Sequence, residues 1–107
     1  MIALKWNKKY ALEQAGDDAE LLEELLEIFK DSFQSDLRLL EQGLAENSAG
    51  KIMAAAHSIK GAAASLGILG IHELAMQIED DSRGGGVDLA RENIAVLQAL
   101  LQELKRL

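Results

Sequence analysis

The segment DDAELLEELLEIFKDSFQSDLRLLEQGL, residues 17–44, decides the fold class. Within it Leu22, Leu25, Phe29, Phe33, Leu37, Leu40 and Leu44 recur at steps of three and four. That spacing gathers side chains on one side of an α-helix, while Glu, Asp, Gln, Lys and Arg fill the rest of the surface. Gly16 interrupts whatever precedes it, and Asp17 with Glu20 three residues later reads as a capping box that starts the helix. A helix this long with one apolar stripe cannot bury the stripe alone, so it needs helical neighbours.

The same periodicity extends outward on both sides. A short first helix is expected over about Asn7–Ala15. Downstream, Asn47 or Ser48 can cap a third helix that runs to about Leu66, before Gly67. A fourth covers about Gly70–Arg83, with Ile71, Leu74, Ala75 and Ile78 on one face. Gly84, Gly85 and Gly86 break the chain, because three glycines cost more backbone entropy than a helix recovers. A last helix begins near Asp88 and carries Ile94, Leu97, Leu101 and Leu104. No stretch alternates with the period of two that a strand requires. The expected architecture is all-α: an antiparallel four-helix bundle with a short extra N-terminal helix, one domain over residues 1–107.

Composition narrows the function. With 18 acidic and 11 basic residues the net charge is −7, a balance that repels nucleic-acid phosphates and anionic lipid headgroups. Cysteine is absent, which excludes disulfides and thiolate metal sites. The longest stretch without a formal charge, Gly61–His72, is far short of the roughly 20 residues a spanning helix needs. Lys5, Lys8 and Lys9 around Trp6 and Tyr10 do not make an apolar signal core. A cytoplasmic, monomeric protein is expected, with another protein as its partner.

The third helix carries the candidate chemistry. Its core stripe is Ile52, Ala55, Ile59, Ala62 or Ala63, and Leu66. His57 lies two residues from both Ala55 and Ile59, about 200° around the axis from each, and so faces outward. It shares that face with Met53, Ala54, Lys60, Gly61 and Ala64, mostly small or apolar where a surface helix usually shows Glu, Lys and Gln. Small residues let another surface approach an imidazole. Glycine inside a helix costs about 1 kcal/mol relative to alanine, so Gly61 needs an offsetting reason. Access to His57 is one; a neighbouring helix packed closely on Gly61 is the other.

Histidine, with an unperturbed pKa of about 6.5, is substantially neutral and nucleophilic near pH 7. Covalent capture on it splits one group transfer into two reversible steps, and an acceptor held at one ring nitrogen decides which nitrogen attacks. Lys60, at i+3, could offset phosphoryl charge, although a lysine taken alone is more often simply solvated. His72 near the start of the fourth helix reads as a partly exposed surface residue rather than a catalytic one. No Glu-x-x-His pair supports a di-iron bundle. No glycine-rich phosphate loop supports ATP binding.

The run His57-Ser58-Ile59-Lys60-Gly61-Ala62-Ala63-Ala64-Ser65-Leu66-Gly67 resembles the H-x-x-K-G signature of histidine-containing phosphotransfer (HPt) domains. Asp17-Asp18-Ala19-Glu20-Leu21-Leu22 through Phe29 and Phe33, and Leu74-Ala75-Met76-Gln77-Ile78-Glu79, are similar to the family's flanking segments. The resemblance implies a phosphoryl carrier of a two-component phosphorelay, not an enzyme with its own ATP site. It implies that His57 is phosphorylated, usually on Nε2, by a receiver-domain phosphoaspartate or a kinase. Lys60 then helps electrostatically, Glu79 orients the ring by accepting from Nδ1, and Gly61 keeps access open. Gln77 would replace Glu79 were the fourth helix rotated. Response-regulator receivers or a hybrid sensor kinase are the implied partners, docking near Met53, Ala54 and Ala64. No cofactor is expected, with Mg²⁺ supplied by the receiver. Met1 and a short leader fit a free-standing protein; one piece of a hybrid kinase is the other expectation. The competing functional reading is a helical adaptor that is never phosphorylated.

Overall fold

The computed structural model describes residues 3–107. Met1, on which the free-standing expectation leans, lies outside the described residues. Five helices follow one another: α1 (Lys8–Gln14), α2 (Ala19–Ala45), α3 (Ala49–Ser65), α4 (Leu69–Arg83) and α5 (Asp88–Lys105). The last four form the expected bundle. Cross-links show the alternation of direction: Ser58 reaches Asp36 between α3 and α2, and His72 and Glu79 on α4 meet Lys60 and His57 on α3. On the other side Arg91 meets Leu44, and Gln98 meets Glu41, between α5 and α2.

The start of α2 differs from expectation by one residue, and α3 uses the second of its two expected caps, for one physical reason. The chain leaves α1 and α2 through left-handed turns, and those turns use Asp17 (φ 61°) and Asn47 (φ 53°). Asn and Asp tolerate that region better than other non-glycine residues. A residue in it cannot also cap a helix, so the cap moves to the next position. The Asp18 carboxylate accepts from the Glu20 and Leu21 amides at 3.0 and 3.2 Å. Ser48 Oγ accepts from the Lys51 amide at 3.3 Å. Asp17 is therefore not the cap of α2, and of the two candidates for α3 it is Ser48 that caps.

The core contains Leu22, Phe29, Phe33, Leu37 and Leu40 from α2, Ile52, Ala55 and Ile59 from α3, Ile71, Leu74 and Ile78 from α4, and Leu97, Leu101 and Leu104 from α5. Phe29 and Phe33 stack with centroids 5.5 Å apart. Leu26 and Leu100 join them, whereas Leu25, Leu44 and Ile94 are only partly buried. Of the two alanine candidates on α3, Ala63 is in the core. Gly43 lets α2 close on α3: a Cβ there would fall 2.9 Å from Ile52 Cγ1.

The N-terminal segment pins the α3–α4 turn. Asn7 N donates to Gly67 O, Gly70 N to Leu4 O, and Trp6 Nε1 to Leu66 O, at 2.9, 2.8 and 3.0 Å. Backbone passes so close that a Cβ on Gly70 would lie 1.8 Å from Ala3 O. This turn fixes how α4 lies along α3. No helix among the described residues is long and apolar enough to cross a membrane.

Candidate functional site

Because Ile52, Ala55, Ala56 and Ile59 turn inward, α3 must present His57 outward, and its side chain is 71% exposed. Glu79 approaches from α4, whose buried face it shares with Ala75 and Ile78; it is 2% exposed. Glu79 Oε2 lies 2.5 Å from His57 Nδ1. Its other oxygen, Oε1, accepts from Lys60 Nζ at 2.6 Å and lies 3.4 Å from Arg83 Nη2.

A carboxylate sequestered from water is costly unless paired, and these neighbours supply the pairing. The hydrogen bond from Lys60 is the main reason the Glu79 carboxyl stays below its ordinary range; burial pushes the other way and the His57 contact adds to the lowering. An ionised carboxylate only accepts. Nδ1 of His57 must then carry the proton, which leaves the lone pair on Nε2. One buried anion thus selects the tautomer, aims the ring and draws a lysine ammonium to within a turn of it.

Gly61 faces open space: a Cβ built there meets nothing within 4 Å. Among the described residues no neighbouring helix packs against it, which removes close packing as its explanation and leaves the surface beside His57 unobstructed.

The family model of the Hpt domain matches residues 24–107. The chain belongs to the HPt domain family. Its fold is similar to that of the HPT domain from an Hpt sensor hybrid histidine kinase of Shewanella, with a TM-score of 0.78 over 95% of this chain and 92% of that one, at 20% identity. A comparison with curated proteins gave no match. HPt domains are phosphotransfer carriers that work with receiver domains and histidine kinases in phosphorelays, and the all-helical bundle here is the HPt fold.

Within this HPt domain the expected residues are not all gathered in one place. Met53 and Ala54 line a shallow depression of about 420 Å³ with His57, Glu79 and Arg83. Ala64 is half-buried in a different hollow, with Asn7, Tyr10, Gly67, Leu69 and His72. Gln77 is exposed, and Glu79 takes the place beside the ring, so α4 has the unrotated setting. His72 is partly exposed, as expected, and its Nδ1 lies 3.2 Å from the Lys60 carbonyl. Sequence reasoning missed Arg83, although Glu79 and Arg83 stand at i and i+4, the spacing of helical ion pairs. It also missed Ser58, whose hydroxyl donates to Asp36 on α2 at 2.7 Å, beside His57.

Proposed function

We propose that this chain acts as one HPt domain that carries a phosphoryl group on His57 between the aspartate of a receiver domain, or a kinase, and a second receiver. The carrying observation is a well-exposed imidazole whose Nδ1 is held by a buried, ionised Glu79. In the forward step the Nε2 lone pair attacks phosphorus and the N–P bond forms. The P–O bond to the receiver's aspartate breaks, and its electrons leave with the carboxylate. No proton has to move, since Nδ1–H stays bonded to Glu79. The ring becomes cationic, and Glu79 balances that charge. Transfer to the next aspartate reverses these bonds.

Lys60 serves as the electrostatic helper for the phosphoryl oxygens, and Gly61 keeps the approach clear. Met53 and Ala54 lie where a docked partner would touch, with Ala64 at the margin. Mg²⁺ would come with the receiver, and the domain supplies neither nucleotide nor metal. Such a carrier works in the cytoplasm, as a monomer, between receivers and a sensor kinase.

Incubation with phosphorylated receivers tests this. An acid-labile, base-stable label should appear on the wild-type protein and be absent from His57→Gln, with helical circular dichroism unchanged. Label on His57→Gln would refute His57 as the carrier. A wild-type protein that binds receivers yet takes no label would instead be an adaptor.

A further inference from the structure

A line of small residues leads along α3 away from the imidazole. His57, Gly61 and Ser65 are exposed and spaced four apart, so they stand on one side of the helix on successive turns. Over about 12 Å of axis nothing larger than a serine side chain stands on that line. It ends at a groove of about 380 Å³ between α2 and α3, where Ser65 meets Leu25, Ile28, Phe29, Ala62 and Leu66. Ile28 is 64% exposed, the most open of the large apolar side chains among the described residues, and Leu21, two turns before it, is 40% exposed. Leu21, Leu25 and Ile28 follow the i, i+4, i+7 spacing of a helix-borne contact face.

The far flank of Ile28 is acidic. Glu20, Glu23, Glu24 and Glu27 share a hollow with it. Glu27 is engaged by Lys30 at 2.8 Å, whereas Glu20, Glu23 and Glu24 make no ion pair among the described residues. An apolar groove edged by uncompensated carboxylates fits a surface of the opposite sign. A second copy of this chain would set band against band at net charge −7, and an anionic lipid surface would be repelled in the same way.

We propose that this groove seats an apolar side chain of the protein that exchanges phosphoryl groups with His57, and that the acidic edge of α2 selects partners whose docking surface is flanked by Lys and Arg. The proposal rests on His57 being the carrier. A partner so seated lies across Gly61 and reaches the ring along the unobstructed line. The carboxylates act on the rate of encounter, and the groove on the lifetime of the complex.

The test uses two receiver domains of known sequence, one with a Lys/Arg-rich and one with a Glu/Asp-rich surface around its phosphorylated aspartate, both phosphorylated with acetyl phosphate. Phosphoramidate, a small donor that needs no docking, reports separately on His57. The variants are Ile28→Gln and Glu23→Lys/Glu24→Lys; Glu20 is spared because it lies in the first turn of α2, where a carboxylate favours the helix. The basic receiver should discharge faster into the wild-type protein at low salt, with the advantage shrinking as salt rises. Each variant should slow that transfer about tenfold, while phosphoramidate labelling stays at the wild-type rate. Equal transfer by wild type and both variants, a preference for the acidic receiver, or a dimer in sedimentation that Ile28→Gln dissociates would each overturn the proposal. Failure of the wild-type protein to label with phosphoramidate and with every receiver would overturn the carrier reading instead.

Discussion

His72 on α4 donates its Nδ1–H to the carbonyl of Lys60 on α3, across 3.2 Å. The bond joins the start of one helix to the peptide unit that precedes Gly61, the glycine in the interior of α3, where helix propensity is low. It therefore braces the turn that aims the Lys60 ammonium at Glu79. Replacing His72 by Ala should cost about 1 kcal/mol in urea unfolding, the usual worth of one such bond. Transfer to His57 should slow by a smaller factor than in Lys60→Ala. An unchanged midpoint in urea would show that the contact is not stabilising.

Lys60 and Arg83 approach the same oxygen of Glu79, at 2.6 and 3.4 Å. Removing one cation leaves the other to neutralise a buried carboxylate; removing both leaves it bare. Lys60→Ala should cost about 2 kcal/mol, less than the 3–5 kcal/mol typical of breaking a buried pair, because Arg83 remains. Arg83→Ala, with a more exposed side chain and a longer contact, should cost less. The double variant should exceed the sum by about 1 kcal/mol in a double-mutant cycle. Additive losses would mean that Arg83 does not share the charge.

Most of the architecture was legible because α2 and the helices after it carry one apolar face each, and a stripe such as Leu22 to Leu40 has one economical way to be buried. The position of His57 followed from its spacing relative to Ala55 and Ile59. What the sequence could not give was the level of α4 against α3. That level depends on Trp6, Asn7 and Gly70 clamping the turn between them, a long-range backbone arrangement with no periodic signature. The choice between Gln77 and Glu79 hinged on it, as did the roles of Arg83 and His72. The misplaced cap at Asp17, and the open choice between Asn47 and Ser48, have a local origin: two adjacent residues in each turn could cap, and only the backbone conformation tells which one is extended.

Gly61 and Gly70 make opposite predictions from the same substitution. A Cβ on Gly61 meets nothing, so Gly61→Ala removes only the intrinsic cost of glycine in a helix and should stabilise the domain by about 1 kcal/mol, raising Tm by about 4 °C. Gly61→Arg should keep most of that stability and slow transfer from a receiver by tenfold or more, as the side chain fills the approach to His57. In Gly70→Ala the added carbon collides with the Ala3 carbonyl and should destabilise the N-terminal clamp. Thermal unfolding of the three variants, with transfer kinetics for Gly61→Arg, checks the set. A fall in Tm for Gly61→Ala would mean that the site is more crowded than the geometry allows.

The pH dependence of stability should carry the mark of Glu79. Its carboxyl is held below the ordinary value of 4.5, first by the Lys60 hydrogen bond and then by His57, against the opposing effect of burial. A group whose folded pKa is depressed contributes stability that is fully present above its unfolded pKa, and that stability is lost as pH falls through the folded value. In Glu79→Gln the amide keeps an oxygen near Nδ1 but has no charge to lose. At pH 7 the variant should be the less stable protein, since Lys60 and Arg83 then face each other without an anion. Below pH 4.5 the wild-type protein alone gives up the Glu79 contribution, so the two unfolding free energies should converge as acid is added. Urea titrations of both proteins from pH 7 to pH 3 measure the gap. A gap that stays constant across this range would mean that the Glu79 proton is bound equally in the folded and unfolded chains, and that Lys60 and His57 do not hold it ionised.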